Sequence, residues 1–135
     1  MAMHLEPYLF LDGRCEEAIA FYRTVLGAEV VRLTRFRDAP QSGMAPPGTE
    51  DKIMHAHLRI GDATVLASDG RCQGNPRFEG FCLSIAAADD AEADRLFAAL
   101  SAGGEVRMAM TSTFFSSRFG MLADRFGITW MIHVA

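Results

Sequence analysis

His55 and His57 are the residues of this chain best suited to chemistry, being two imidazoles separated by a single residue. Side chains alternate along an extended strand, so His55, His57 and Arg59 share one face while Met54, Ala56, Leu58 and Ile60 share the other. The apolar face is the one that packs on helices, which turns the imidazoles toward a side that a ligand can reach. Three uses of the pair stay open. They can chelate a divalent metal with Glu6 as a third ligand and one position left vacant. One ring can serve as general acid or base, because imidazole titrates near working pH. Alternatively, both rings line the wall of a binding pocket. No nucleophile–base spacing and no phosphate-cradling glycine loop accompanies them.

Other residues carry weaker signals. Asp69 follows a strand and precedes a loop, which reads as a turn former or a catalyst. Asp124 and Gly127 read as hairpin-shaping residues. Trp130 reads as core, with Met131 and His133 at alternate positions facing the other way. Phe114, Phe115 and Phe119 make a dense aromatic group near Ser116 and Ser117. That group suits a core, a dimer interface or an apolar wall for a ligand.

The elements that must hold these residues follow from periodicity. Residues 7–11 read as a strand ending in an Asp12-Gly13 turn. Cys15, Ala18, Ile19, Tyr22, Val25 and Leu26 then form one helical stripe, stopped by Gly27 in a left-handed conformation. Glu29 to Phe36 suits a second strand. From Arg37 to Asp51, prolines and glycines break any ladder, and a loop of that length is a candidate lid. Ile53 to Ile60 and Ala63 to Ser68 form a hairpin around Gly61-Asp62.

The second half repeats this order. A loop from Asp69 to Arg77 leads to a strand at Phe81 to Ala86. A helix follows from Asp89 to Leu100, with Asp89 and Glu92 spaced as a capping box and Gly103-Gly104 after it. Strands are expected at Val106 to Met110, Phe119 to Ala123 and Ile128 to Val134. Two such halves predict an α+β fold of two βαβββ modules, about 5–70 and 78–135, within a single domain of residues 1–135. Their curved mixed sheets would surround a cavity, with the helices on the outer face.

Composition narrows the function classes. A chain of 135 residues, half of them hydrophobic, has material for one well-filled core. A formal net charge of −4 argues against a nucleic-acid partner. No apolar run is long enough to span a membrane, and the N-terminus shows no signal-peptide pattern, so a cytoplasmic address is expected. The three cysteines, Cys15, Cys72 and Cys82, form no C-x-x-C pair and read as ordinary thiols. Eight methionines suit a plastic core or an adaptable pocket.

Tyr8-Leu9-Phe10, Gly13 to Ala18, Phe21-Tyr22 and Gly27-Ala28-Glu29 together resemble the opening of the PhnB-like branch of the glyoxalase/bleomycin-resistance/dioxygenase superfamily. Met54 to His57, Ile60-Gly61 and Ala67-Ser68-Asp69 resemble its middle. Thr113-Phe114, Phe119-Gly120, Asp124 to Gly127 and Trp130-Met131-Ile132 resemble its closing segment. The likeness runs in order from about residue 7 to residue 134, and departs where Phe115 stands in place of the family's usual tryptophan. The resemblance implies a homodimer that takes a small organic molecule. It also places the superfamily's four metal-ligand positions at Glu6, at Leu66 or Ser68, near Gly80, and at Met131. Of these Glu6 alone suits a hard or borderline ion, so no typical metal centre is expected.

Members of this branch often carry the label 3-demethylubiquinone 3-methyltransferase. A methyl donor is usually held at a glycine-rich strand-to-helix turn in a larger parallel sheet, and this chain offers neither. The expectation is therefore a small-molecule binding protein without a cofactor. Its alternative is an enzyme of lyase, isomerase or dioxygenase type that uses His55 and His57 for metal binding or acid–base chemistry. His57 and His55 are the catalytic candidates. Glu6, Tyr8, Arg59, Ser68, Phe115 and Met131 are the candidates for contacting the ligand.

Overall fold

The computed structural model describes residues 2–39 and 47–135. The middle of the expected lid, residues 40–46, lies outside them. The chain divides into two compact units, Met1–Pro76 and Arg77–Ala135. In the first, β1 (Tyr8–Phe10), α1 (Cys15–Leu26), β2 (Glu29–Arg35), β3 (Ile53–Ile60) and β4 (Ala63–Ser68) follow one another. In the second the order is β5 (Leu83–Ala87), α2 (Asp90–Ser101), β6 (Glu105–Thr111), β7 (Phe119–Ala123) and β8 (Thr129–Val134). Among the described residues no helix is long and apolar enough to cross a membrane.

The repeat read from the sequence holds at the level of topology. The sheets are ordered β1-β4-β3-β2 and β5-β8-β7-β6. In each, the first strand runs parallel to the last, and the other neighbours are antiparallel. Each unit is thus a four-stranded mixed sheet with one helix, and the fold class is α+β.

One face of each sheet is dry. In the first unit Leu9, Ala67 and Ala56 lie side by side across β1, β4 and β3, with Val65 beside Leu58 in the next row, and all five are buried. Cys15, Ala18, Ile19 and Tyr22 make the buried stripe of α1. Each large side chain withdrawn from water contributes about 1.5–3 kcal/mol. In the second unit Trp130 pairs with Leu122, and Ile132 pairs with Gly120. A Cβ on Gly120 would lie 2.8 Å from the Phe97 ring of α2, so the missing side chain lets helix and sheet approach closely.

The helix ends are set by different means. Gly27 closes α1 with φ of 67°, the left-handed conformation expected of it. Asp89 caps α2 by accepting the Glu92 N–H at 2.8 Å, and Glu92 reaches back to accept the Ala88 N–H at 3.0 Å. The expected capping pair is present, with its return bond one residue further out than usual.

Several boundaries differ from expectation. β5 begins at Leu83 rather than Phe81, because its ladder with β8 starts at the Leu83–Trp130 pair. β8 begins one residue late, because the Ile128 N–H is held by the Asp124 carboxylate in the preceding turn. The expected loop after β2 starts with a 3-10 turn at Phe36–Asp38. Its described ends are pinned by Phe36 N–H to Lys52 and Arg37 N–H to Glu50, each 3.0 Å.

Candidate functional site

The open face of the first sheet is built by register. Tyr8 lies beside Leu66, Leu66 beside His57, and His57 beside Arg32, so a phenol, an alkyl group, an imidazole and a guanidinium cross the four strands in one row. One row over, His55 is opposite Thr34, and Phe10 is opposite Ser68. On the other side Arg59 sits between Glu29 and Thr64. Directly opposed side chains in a sheet have Cβ atoms about 4.5–5.5 Å apart, so each row is a contiguous surface.

Arg32 reaches this face through a bulge. Val30 pairs with Leu58 on the helix-covered side, and unbroken alternation would put Arg32 on that side too. The register slips between Val30 and Arg32, so Arg32 pairs with His57. An extra residue in one strand turns the following side chains over.

The aromatic end is tightly organised. Tyr8 stacks on Phe10 with ring centroids 4.9 Å apart, and its hydroxyl is 3.0 Å from His55 Nδ1. Burial raises the Tyr8 pKa, a hydrogen bond with Ser68 opposing it. The phenol therefore keeps its proton at neutral pH. It can donate to an unprotonated Nδ1, which leaves the imidazole proton on Nε2, or accept from a protonated one. Tyr8 and Phe10 remain 39% and 58% exposed, a large aromatic surface on a face without a helix. His57 is half-buried, and its ring makes no hydrogen bond among the described residues.

Asp69 holds this surface in place. Its carboxylate is fully buried and accepts three backbone N–H groups, from Gly13 at 3.0 Å, Cys15 at 2.8 Å and Ile53 at 2.7 Å. The Arg14 side chain makes no capping bond for α1, so a carboxylate 54 residues away satisfies the helix start. The same group fixes where β3 begins, two residues before His55. Its role is structural, as a tether between the β1–α1 turn and β3. Asp124 does similar work in the second unit, accepting from Phe126, Ile128 and the Trp130 indole at 2.9, 3.1 and 2.8 Å. Burial, with Asp69 and Glu16 nearby, pushes the Cys15 thiol far up, so it is no nucleophile.

The predicted residues divide between the units. Tyr8, His55, His57, Arg59 and Ser68 belong to the first sheet. Ser68 is buried, its hydroxyl donating to Ile53 and accepting from Gly70, so it supports the face more than it offers a free group. Glu6 is half-buried just ahead of β1 and is not gathered with His55 and His57 into a three-ligand group. Met131 lies on the open face of the second sheet, in a row with Ser84, Met121 and Met108. Phe115 is 56% exposed and packs edge-on against Phe114 and Phe119. Neither Arg32 nor Phe10 is among the site candidates read from the sequence. Phe10 was findable, because it shares Tyr8's face by simple alternation.

The superfamily's metal does not fit this chain. The four positions that the resemblance assigns to it carry one carboxylate, a leucine or a committed serine, a glycine and a thioether. Such a set cannot hold a hard or borderline divalent ion.

Residues 3–133 match the family described as 3-demethylubiquinone-9 3-methyltransferase. Protein YjdN of Escherichia coli is 37% identical over 142 residues, covering 98% of this chain and 95% of that protein. The crystal structure of protein PA1353 from Pseudomonas aeruginosa superposes with a TM-score of 0.87 at 37% identity, covering 98% of each chain. The PhnB protein from Bacillus cereus superposes with a TM-score of 0.82 at 27% identity, covering 98% of this chain and 100% of that one.

Proposed function

Because the chain belongs to the PhnB-like family of the glyoxalase/bleomycin-resistance superfamily, we propose that it binds a small organic molecule on the open face of its first sheet, without the superfamily's metal. The observation that carries this reading is the row of Tyr8, Leu66, His57 and Arg32, exposed at its two ends and half-buried in the middle, with Phe10 stacked at its aromatic end. It combines a flat apolar surface with a few directional polar groups, the composition typical of small-molecule sites. The family description names a methyltransferase. The two mixed sheets carry no glycine-rich parallel βαβ turn for a methyl donor among the described residues, so that activity is not part of the reading. A cytoplasmic homodimer remains part of it, by analogy with related domains and because β2 presents an exposed edge.

A second reading has one specific observation in its favour, the 3.0 Å contact between Tyr8 hydroxyl and His55. A phenol and an imidazole so joined can pass a proton to or from a bound molecule, which would make the protein a metal-independent lyase or isomerase.

A library of aromatic and heteroaromatic fragments, screened by NMR on the intact protein, tests both. The shifts are expected to cluster on Tyr8, Phe10, His55, His57 and Leu66, and Tyr8→Ala should weaken the hits about tenfold or more while leaving the spectrum otherwise folded. Shifts confined to α1 or α2, or hits indifferent to Tyr8→Ala, would contradict the binding face. Turnover of any hit that is lost in both Tyr8→Phe and His55→Gln would raise the second reading above the first.

A further inference from the structure

We propose that the molecule bound on this face carries an anionic head, a carboxylate, phosphonate or phosphate, which Arg32 and His57 grip while its flat apolar body lies over Leu66 against Tyr8 and Phe10. The proposal rests on the binding reading above and names the ligand class for that same face.

The argument begins with which arginines are already committed. On β2, Arg35 is engaged by Glu16, its two terminal guanidinium nitrogens lying 3.1 and 2.8 Å from the two carboxylate oxygens. Arg37 pairs with Asp51, and Arg118 reaches Asp90 and Asp94. The Arg32 side chain makes no ion pair and no hydrogen bond among the described residues, although it stands three residues from Arg35 on the same strand.

Its cross-strand neighbour is His57, whose ring is also without a hydrogen bond among the described residues. No carboxylate stands opposite Arg32, although Glu29 is its neighbour along β2 on the same face. Glu29 is opposite Arg59, and Glu6 precedes β1 at the far edge of the sheet. Arg59 thus has an acid opposite it in the register, although the two form no ion pair among the described residues, and Arg32 has none opposite it. In a chain of net charge −4, a guanidinium turned by a bulge onto a histidine-bearing face, with no acid opposite it, is a site prepared for an anion from outside.

The guanidinium fork suits a carboxylate or phosphonate oxygen pair, and the neighbouring imidazole adds one further donor, stronger when protonated. A bare inorganic anion would leave the aromatic end unused. Leu66 separates Tyr8 from His57 by one strand on either side, so an organic body continuous with the head covers the whole row.

Three matched probes decide it: benzoate, phenylphosphonate and neutral benzamide, titrated into the intact protein with the Tyr8, His55 and His57 ring signals followed by NMR. Both anions should bind about tenfold tighter than benzamide, with the advantage shrinking as salt is raised. Arg32→Gln should bring both anions down to the affinity that benzamide shows on the same variant, whereas the control Arg71→Gln, at an exposed loop position, should leave the preference intact. Equal binding of benzamide and the anions, or a preference that survives Arg32→Gln, would overturn the anionic head while the binding face stands. If none of the probes moves the three rings, the binding face itself falls.

Discussion

Replacing Asp69 with alanine is expected to cost about 4 kcal/mol or more of folding stability. Three buried N–H groups, on Gly13, Cys15 and Ile53, would lose a charged acceptor at once. A hydrogen bond to a charged group contributes about 1.5–3 kcal/mol, and a buried donor left unpaired costs about 1–3 kcal/mol. The three bonds share one carboxylate, so their losses are not additive. Even so, the total is a large part of the roughly 5–15 kcal/mol that holds a domain together. Asparagine is the more instructive variant. Its oxygen can still accept from Gly13 and Cys15, but its amide then points N–H groups at the Ile53 N–H. An intermediate loss of about 2 kcal/mol is expected, concentrated at the start of β3. Urea unfolding measures the totals, and amide exchange at Cys15 and Ile53 locates them. A midpoint unchanged in both variants would mean that the carboxylate does not tether α1 to β3.

Gly104→Ala should be almost as damaging, for a steric reason. A Cβ there would overlap the Ala123 carbonyl oxygen and come within 2.7 Å of the Asp124 carbonyl carbon. These are backbone atoms at the end of β7, where Glu105 pairs with Ala123, so no rotamer change can relieve the clash. Overpacking of this kind costs about 1–3 kcal/mol where neighbours can adjust, and the upper end or beyond is expected against a rigid ladder. Gly27→Ala supplies the contrast. Gly27 has φ of 67°, but a Cβ there would meet nothing within 4 Å. Its cost should be about 1 kcal/mol, from conformation alone. Comparable midpoints for the two variants would contradict the close approach at Gly104.

Much of the fold was legible because its signals are local. The stripe of Cys15, Ala18, Ile19 and Tyr22 is buried as its spacing implied, and Gly27 takes the left-handed conformation that ends α1. The alternation of β3 holds in its middle, with Ala56 and Leu58 buried and His55 and His57 half-buried, but Met54 and Ile60 are also only half-buried and Ile53 is fully buried. The order of strand, helix and hairpin disclosed the repeat although few residues match between the halves.

What stayed hidden depends on pairs distant in the chain. Asp69 follows a strand and looks like a turn residue, yet it acts on groups 54 and 56 positions away. The one local hint was the absence of a capping side chain at Arg14. The Tyr8–His55 contact spans 47 residues and exists only because β4 lies between β1 and β3. Arg32 was concealed by the bulge, since regular alternation assigns it to the face it does not occupy. Phe81 and Cys82 look like strand residues, but the β5–β8 ladder begins only at the Leu83–Trp130 pair.

The most direct test of the account is a crystal structure of the protein soaked with aromatic acids. The account predicts ligand density lying flat over Leu66, between the Tyr8–Phe10 stack and the His57 ring, with the acid group turned toward Arg32. A ligand seated elsewhere while that row stays bare, or a His57 ring packed beneath a helix, would contradict it.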